Sequence, residues 1–129
     1  MGAHFTDGTN LTGAHLNGAR LREADFRAAY LIGAFLKGAD LVEALLNSAD
    51  LKRAHLENAD LKNVHLEGAN LMETHLEGAE LAGAHLEGAF IKGASGLADE
   101  QLAHARGDAK TLLPNRITRP THWPPEGDL

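Results

Sequence analysis

Four copies of the tripeptide His-Leu-Glu hold the residues of this sequence best suited to chemistry. Each copy places a histidine two positions before a glutamate: His55/Glu57, His65/Glu67, His75/Glu77 and His85/Glu87. Imidazole nitrogens and carboxylate oxygens are ligands for borderline divalent metals such as zinc. A surface built from repeated units would produce the same tripeptides without any metal. The residues alone therefore leave metal binding open, and no metal ligand is assigned from them.

Other catalytic patterns are missing from the sequence. There is no Ser-His-Asp spacing, phosphate-binding loop or zinc-hydrolase motif, and the chain has 0 cysteines. The lack of cysteine excludes disulfides, thiolate catalysis and cysteine-based metal clusters. We predict that the protein is not an enzyme, with no catalytic residues and no cofactor.

Length and charge narrow the class of protein further. A chain of 129 residues suits one small domain, and 12 basic against 18 acidic residues argue against direct nucleic-acid binding. No apolar run is long enough to span a membrane. Because the N-terminus lacks a secretory pattern, we expect a cytoplasmic protein.

A five-residue repeat organises most of the chain. Leucine occupies every fifth position from 11 to 91, with Phe26 and Ile91 as substitutes, and alanine lies two residues earlier in fourteen of the seventeen units. Successive leucines would drift about 140° around an α-helix, so a long amphipathic helix is excluded. One long strand is excluded too, because its side chains alternate with period two.

Short extended pieces separated by turns satisfy this repeat. Alanine and leucine then point the same way, and the residue two after the leucine, often glycine, makes the turn. Each pentapeptide forms one side of a coil, and stacked coils pair their backbones at about 4.8 Å. The protein is therefore predicted to be an all-β solenoid with any function on its outer surface.

Units such as AHLEG, ADLKN and ANLME resemble the pentapeptide repeat proteins over about residues 9–95. This resemblance implies a right-handed quadrilateral β-helix with four pentapeptides to a coil, hence about four coils here. Residues 1–95 would form the β-helix, with regular units from about residue 9, and residues 96–129 a capping helix and irregular tail. The implied core is a leucine column that includes Leu31, Leu36, Leu51, Leu56, Leu71 and Leu76.

The tail also resembles that of bacterial family members. Residues 98–106 are predicted to form a short helix that ends at Gly107, and the T-x-L-P and P-x-H-W-P patterns follow it. A solenoid must cover its last coil. We assign that capping role to Leu97, Leu102, Leu113 and Trp123.

If four units close a coil, residues twenty apart stack on one another. His55 then lies over His75 and His65 over His85. Several apolar residues also occupy outward positions, among them Val42 and Leu45. From these residues we select Tyr30, Ile32 and Phe35 as the candidate interface, because exposed apolar clusters mark binding surfaces.

These features favour a non-catalytic structural or protein-interaction module with an unidentified protein partner. A homodimer could form through a solenoid end or through the Tyr30/Phe35 region. The alternative is a DNA-mimicking modulator of DNA gyrase, as in some family members, because residues 54–93 hold seven acidic residues and only Lys62 and Lys92 as bases. A rod about 20 Å tall spans only about six base pairs, which argues against the alternative.

Overall fold

The computed structural model describes residues 2–127 of the chain. Its one regular helix in that range is a short 3-10 helix, Asp99–Leu102. Single-residue parallel β-bridges recur every five residues from Asn10 to Ser95, and further bridges involve His4, Arg106 and Leu112. The described residues contain no helix with the length and apolarity needed to cross a bilayer.

The bridges set the register of the solenoid. Asn10 pairs with Tyr30, Tyr30 with Asp50, and so on in steps of twenty up to Phe90. Each bridge uses two backbone hydrogen bonds: the Tyr30 N–H donates to the Thr9 carbonyl at 2.9 Å, and the Leu11 N–H donates to the Tyr30 carbonyl at 2.7 Å. The predicted stacking of residues twenty apart is therefore confirmed.

Every unit from 9 to 93 turns at the residue two after its leucine. All seventeen of these residues have a positive φ, and eight of them are not glycine, for example Ala28 at 60° and Arg53 at 62°. The turn closes with a hydrogen bond from the next alanine N–H to the leucine carbonyl, as from Ala14 to Leu11 at 3.0 Å. Glycine is favoured at such corners, but other residues adopt the same backbone at a small cost.

The leucine and alanine columns form the core. The six leucines predicted as core are at most 2% exposed, and Ala34 and Ala54 are fully buried. Thr74, which replaces an alanine, is also buried and donates its hydroxyl to the Leu71 carbonyl at 2.8 Å. A polar group is therefore tolerated in the alanine column where the turn supplies an acceptor.

One extra residue enters the first coil. His4 bridges Asp25 at a separation of twenty-one, and Phe5 stacks on Phe26 with ring centroids 5.0 Å apart. Gly8 follows the normal corner at Asp7 and has a φ of 82°. The turn at Asp7 and Gly8 therefore accommodates the extra residue, and Phe5 stays in the core column.

The predicted helix over residues 98–106 is too long. Only Asp99–Leu102 is helical, and Arg106 bridges His85. The chain must return to an extended form there, because the Arg106 N–H donates to the Ala84 carbonyl and the Arg106 carbonyl accepts the Leu86 N–H, both at 2.8 Å. Pairing with the last coil overrides local helix formation.

The C-terminal segment covers the end of the core. Leu102 is fully buried and Trp123 is 5% exposed, while Leu97 and Leu113 pack against the core from partly buried positions. The Trp123 indole lies over Gly107, where a Cβ would clash with the ring. Gln101 donates to the Leu76 and Ala79 carbonyls at 3.0 and 2.9 Å. These contacts shield the last leucines and satisfy backbone carbonyls that would otherwise be unpaired.

We expect Leu51→Ala to lower the free energy of unfolding by about 2–5 kcal/mol, because it leaves a cavity in the middle of the leucine column. The matched control is Leu45→Ala at a half-buried outward position, which should cost about 1 kcal/mol or less. Urea denaturation followed by circular dichroism measures both. Equal losses would contradict the assignment of position 51 to the core.

Candidate functional site

Outward side chains form columns because the bridges align residues twenty apart. Each face carries one column of bridged residues and a second column two residues later in the chain. A functional site on this molecule is therefore assembled from successive coils.

One face holds the exposed large apolar side chains. In the described part of the chain these are Tyr30 at 47%, Met72 at 37% and Phe90 at 46% exposure. Tyr30 and Phe90 belong to the same bridged column, and Met72 lies in the column beside it. We call this surface the Tyr30 face; it consists of residues 10, 30, 50, 70 and 90 together with 12, 32, 52, 72 and 92.

The candidate interface is divided between two faces. Ile32 is half-buried on the Tyr30 face, whereas Phe35 lies on the next face. There the Phe35 ring is stacked between His15 and His55, with centroids 5.1 and 5.0 Å away. Phe35 is thus partly sheltered by its column, while Tyr30 remains open to solvent.

Two other outward apolar positions are more covered than their spacing suggested. Val42 is buried, at 6% exposure, and Leu45 is half-buried. Val42 shares a column with Arg22 and Lys62, whose long aliphatic stems can cover a small side chain. Met72 and Phe90 were not selected from the sequence, although they follow Ile32 and Tyr30 by forty and sixty residues, which are multiples of the twenty-residue coil and place them on the same face.

Polar residues of the Tyr30 face have a structural role. The side-chain oxygens of Asn10, Asp50 and Asn70 accept the backbone N–H two residues later at 3.0–3.1 Å. This local hydrogen bond explains why Asn and Asp recur at the bridged position. These residues support the corner and leave the apolar side chains as the distinctive feature of the face.

The histidines come together as predicted. His55 stacks on His75 with ring centroids 4.5 Å apart, and His65 stacks on His85 at 4.4 Å. Each stack has a carboxylate beside it, from Glu57 in the first and Glu67 in the second. The structure therefore contains two similar groups of potential ligands, one on each of two faces.

Asp25 is a buried charged residue near the N-terminal end, at 5% exposure. Arg27 forms a two-point contact with it, from Nε to Oδ1 at 2.9 Å and from Nη2 to Oδ2 at 2.7 Å. The hydrogen bond from the Arg27 guanidinium holds the pKa of the Asp25 carboxyl below its ordinary value, against the opposing effect of burial. This pairing gives Asp25 a structural role that needs no ligand.

The acidic residues of positions 54–93 are partly paired with basic side chains of the same chain. Lys62 Nζ lies 3.5 Å from Asp60 and 3.3 Å from Glu80, and Arg53 lies 3.3 Å from Glu73. The hydrogen bond with Glu80 raises the pKa of Lys62 above its ordinary value. Part of the acidic surface is therefore paired within the chain.

Comparison with known proteins gives one consistent result. Pentapeptide repeats match in eight copies over residues 7–42, 39–78 and 59–95. A pentapeptide repeat protein of the Arabidopsis thaliana thylakoid lumen is 33% identical, with a TM-score of 0.75, and the match covers 81% of this chain and 74% of that one. No curated protein matches the chain significantly.

Two further solved structures are similar. A pentapeptide repeat protein from Nostoc PCC 7120 is 32% identical with a TM-score of 0.64, covering 86% of this chain and 78% of that one. QnrB1, a plasmid-mediated fluoroquinolone resistance protein, is 21% identical with a TM-score of 0.43, covering 93% and 71%.

We expect Asp25→Asn to lower the free energy of unfolding at pH 7 by about 1–3 kcal/mol, because it removes the charge that Arg27 contacts. Since the folded pKa of Asp25 is lowered, its contribution is present above its unfolded pKa of about 3.9 and is lost as the pH falls through the folded pKa. The difference between variant and wild type should therefore shrink below about pH 4. Denaturant unfolding at several pH values measures this difference.

The matched control is Asp50→Asn. Asp50 accepts the Lys52 N–H, and asparagine fills the same role at position 70. This change should have little effect at any pH. A difference for Asp25→Asn that is constant from pH 7 to pH 3 would contradict the ionic role of Asp25.

Proposed function

Since this chain belongs to the pentapeptide repeat family, whose members fold as right-handed β-helices, we propose that it is a non-catalytic module that binds a protein partner. In finer detail, we infer about four coils in residues 1–95, with residues 96–129 as the cap. The observation that carries the proposal is the Tyr30 face, which gathers the three exposed large apolar side chains named above.

The composition of the Tyr30 face suits protein binding. Asp50, Lys52 and Lys92 are its charged residues, whereas the column of Arg20, Asp40, Asp60 and Glu80 on another face is entirely charged. Aromatic residues and methionine are enriched at protein interfaces, and charged residues are depleted at their centres. Tyr30 and Phe90 would act as anchors near the two ends of the contact, with Met72 between them.

The filled interior supports a role without catalysis. Leucine and alanine side chains occupy the space inside the coils, and the bridged columns form the outer faces. Catalysis needs polar groups that converge on a substrate in a concave site. The flat faces offer contact area for another macromolecule instead.

The partner is a protein of the same compartment, which we predict to be the cytoplasm, or a second copy of this chain. The N-terminal end offers a second surface for a copy, because Phe5, Leu11 and Leu16 are only partly buried there. The C-terminal end is covered by Trp123 and its neighbours. Self-association through an end would therefore use the N-terminal coil.

The alternative function is a DNA-mimicking modulator of DNA gyrase. The seven acidic residues of positions 54–93 favour it. The pairing of Lys62 with Asp60 and Glu80, and of Arg53 with Glu73, weakens it by removing free negative charge from the surface.

We expect Tyr30→Asp and Phe90→Asp each to abolish capture of a specific partner in affinity purification from the source organism, because a carboxylate in place of an aromatic anchor must be desolvated without a partner when the interface forms. Phe35→Asp should have a smaller effect, since Phe35 lies on the next face. The control Ala82→Asp adds the same charge at an exposed position of another face. Identical partner sets for the wild type, Tyr30→Asp and Phe90→Asp would refute the Tyr30 face as the interface.

A gyrase assay separates the two functions. Micromolar protein should leave the supercoiling of relaxed plasmid by DNA gyrase unchanged, both with and without a quinolone. Inhibition of supercoiling, or protection from the quinolone, would favour the alternative. Reversal of such an effect by Glu73→Gln and Glu77→Gln would assign it to the acidic surface.

A further inference from the structure

We propose that His55, Glu57 and His75 form one divalent-metal site and that His65, Glu67 and His85 form a second, with zinc as the ion best suited to both. In each group one ligand atom from every residue lies within 4.8 Å of the others. The two sites lie on different faces and would each join a pair of neighbouring coils. Neither depends on the protein-binding role proposed above.

The backbone places the two histidines of each site. The His75 N–H donates to the Ala54 carbonyl at 3.0 Å, and the His75 carbonyl accepts the Leu56 N–H at 2.9 Å. These bonds hold position 75 directly beside position 55. The same ladder joins positions 65 and 85, so neither pair of imidazoles depends on flexible loops for its placement.

A carboxylate lies beside each histidine pair. Glu57 Oε2 is 3.6 Å from His55 Nδ1, and Glu67 Oε2 is 3.3 Å from His65 Nδ1. The glutamate follows its histidine by two residues, so both side chains leave the same side of one pentapeptide. In each site one tripeptide thus supplies a nitrogen and an oxygen ligand, and the tripeptide of the next coil supplies a second nitrogen.

One carboxylate oxygen of the first site lacks a hydrogen-bond donor. Glu57 Oε1 is buried without a partner among the described residues, whereas Glu67 Oε1 in the second site accepts a hydrogen bond from the Asn47 amide at 3.2 Å. A buried carboxylate oxygen without a donor is costly. A metal ion in the first site would supply the positive charge that this Glu57 oxygen lacks.

The mixed ligand set selects the ion. Two imidazole nitrogens and one carboxylate oxygen suit zinc and other late first-row divalent ions, whereas magnesium and calcium prefer oxygen ligands alone. Three protein ligands leave a fourth tetrahedral position for water. The acidic surroundings of residues 54–93 would also attract a cation.

Binding requires a small rearrangement of the rings. Zinc–ligand bonds of about 2.0–2.2 Å place tetrahedral ligands about 3.4 Å apart, closer than the 4.8 Å limit seen here. The two rings of each stack are within 4° of parallel, so their in-plane lone pairs do not converge on one point. At least one ring must turn, and some stacking is lost on binding.

Isothermal titration of chelator-treated protein with zinc chloride tests the proposal. The wild type should bind two equivalents, His75→Asn or His85→Asn should bind one, and the double variant none. Asparagine fits this position, since Asn10 and Asn70 occupy it in the native chain. His15→Asn is the matched control, because His15 also stacks on a ring but is followed by Asn17; it should keep two equivalents.

A second readout does not depend on the histidine variants folding normally. Cobalt(II) added to the wild type should give the visible absorption of a tetrahedral complex, and Glu57→Gln with Glu67→Gln should weaken zinc binding by about tenfold or more. Zinc should also raise the melting temperature of the wild type, because it binds the folded state. No saturable binding, or a stoichiometry unchanged in the double histidine variant, would overturn the proposal.

Discussion

Parallel backbone hydrogen bonds between successive coils hold each residue beside the one twenty positions later. The Leu31 N–H donates to the Asp50 carbonyl at 2.7 Å, and the Asp50 N–H donates to the Ala29 carbonyl at 2.9 Å. The same two bonds recur around the solenoid. They satisfy the backbone polar groups and keep leucine and alanine pointing inward, so the core and the ladder depend on each other.

This ladder of hydrogen bonds arranges the outward side chains of successive coils in columns on each face. Residues that share a column touch, although twenty positions separate them in the chain. The Tyr30 face and the two histidine groups are both products of this geometry, since each combines side chains from different coils. The outer surface can therefore change in character from face to face while the interior remains nearly constant.

The two ends of the solenoid differ in how far other residues cover the core. At the C-terminal end Trp123 covers the position of Gly107, and Gln101 and Thr111 donate to backbone carbonyls of the last coil. Arg119 reinforces this segment by donating to the Thr111 carbonyl at 2.6 Å. At the N-terminal end Phe5 extends the core column, but no comparable segment among the described residues covers it. This asymmetry leaves the first coil as the more open end.

The sequence by itself determined the solenoid, its inward leucines and alanines and its corners, because a strict five-residue period has few physical solutions. The pairing of His55 with His75 needed in addition the four units to a coil that the resemblance to pentapeptide repeat proteins implies. The sequence did not determine which outward side chains are exposed to solvent. Tyr30 and Phe90 are exposed whereas Val42 is buried. This difference depends on which side chains flank each residue in its column. The tail was also decided by tertiary structure. The segment after Leu102 has helical propensity, but Arg106 forms a β-bridge with His85 of the last coil, which requires extended backbone, and so the helix ends after four residues.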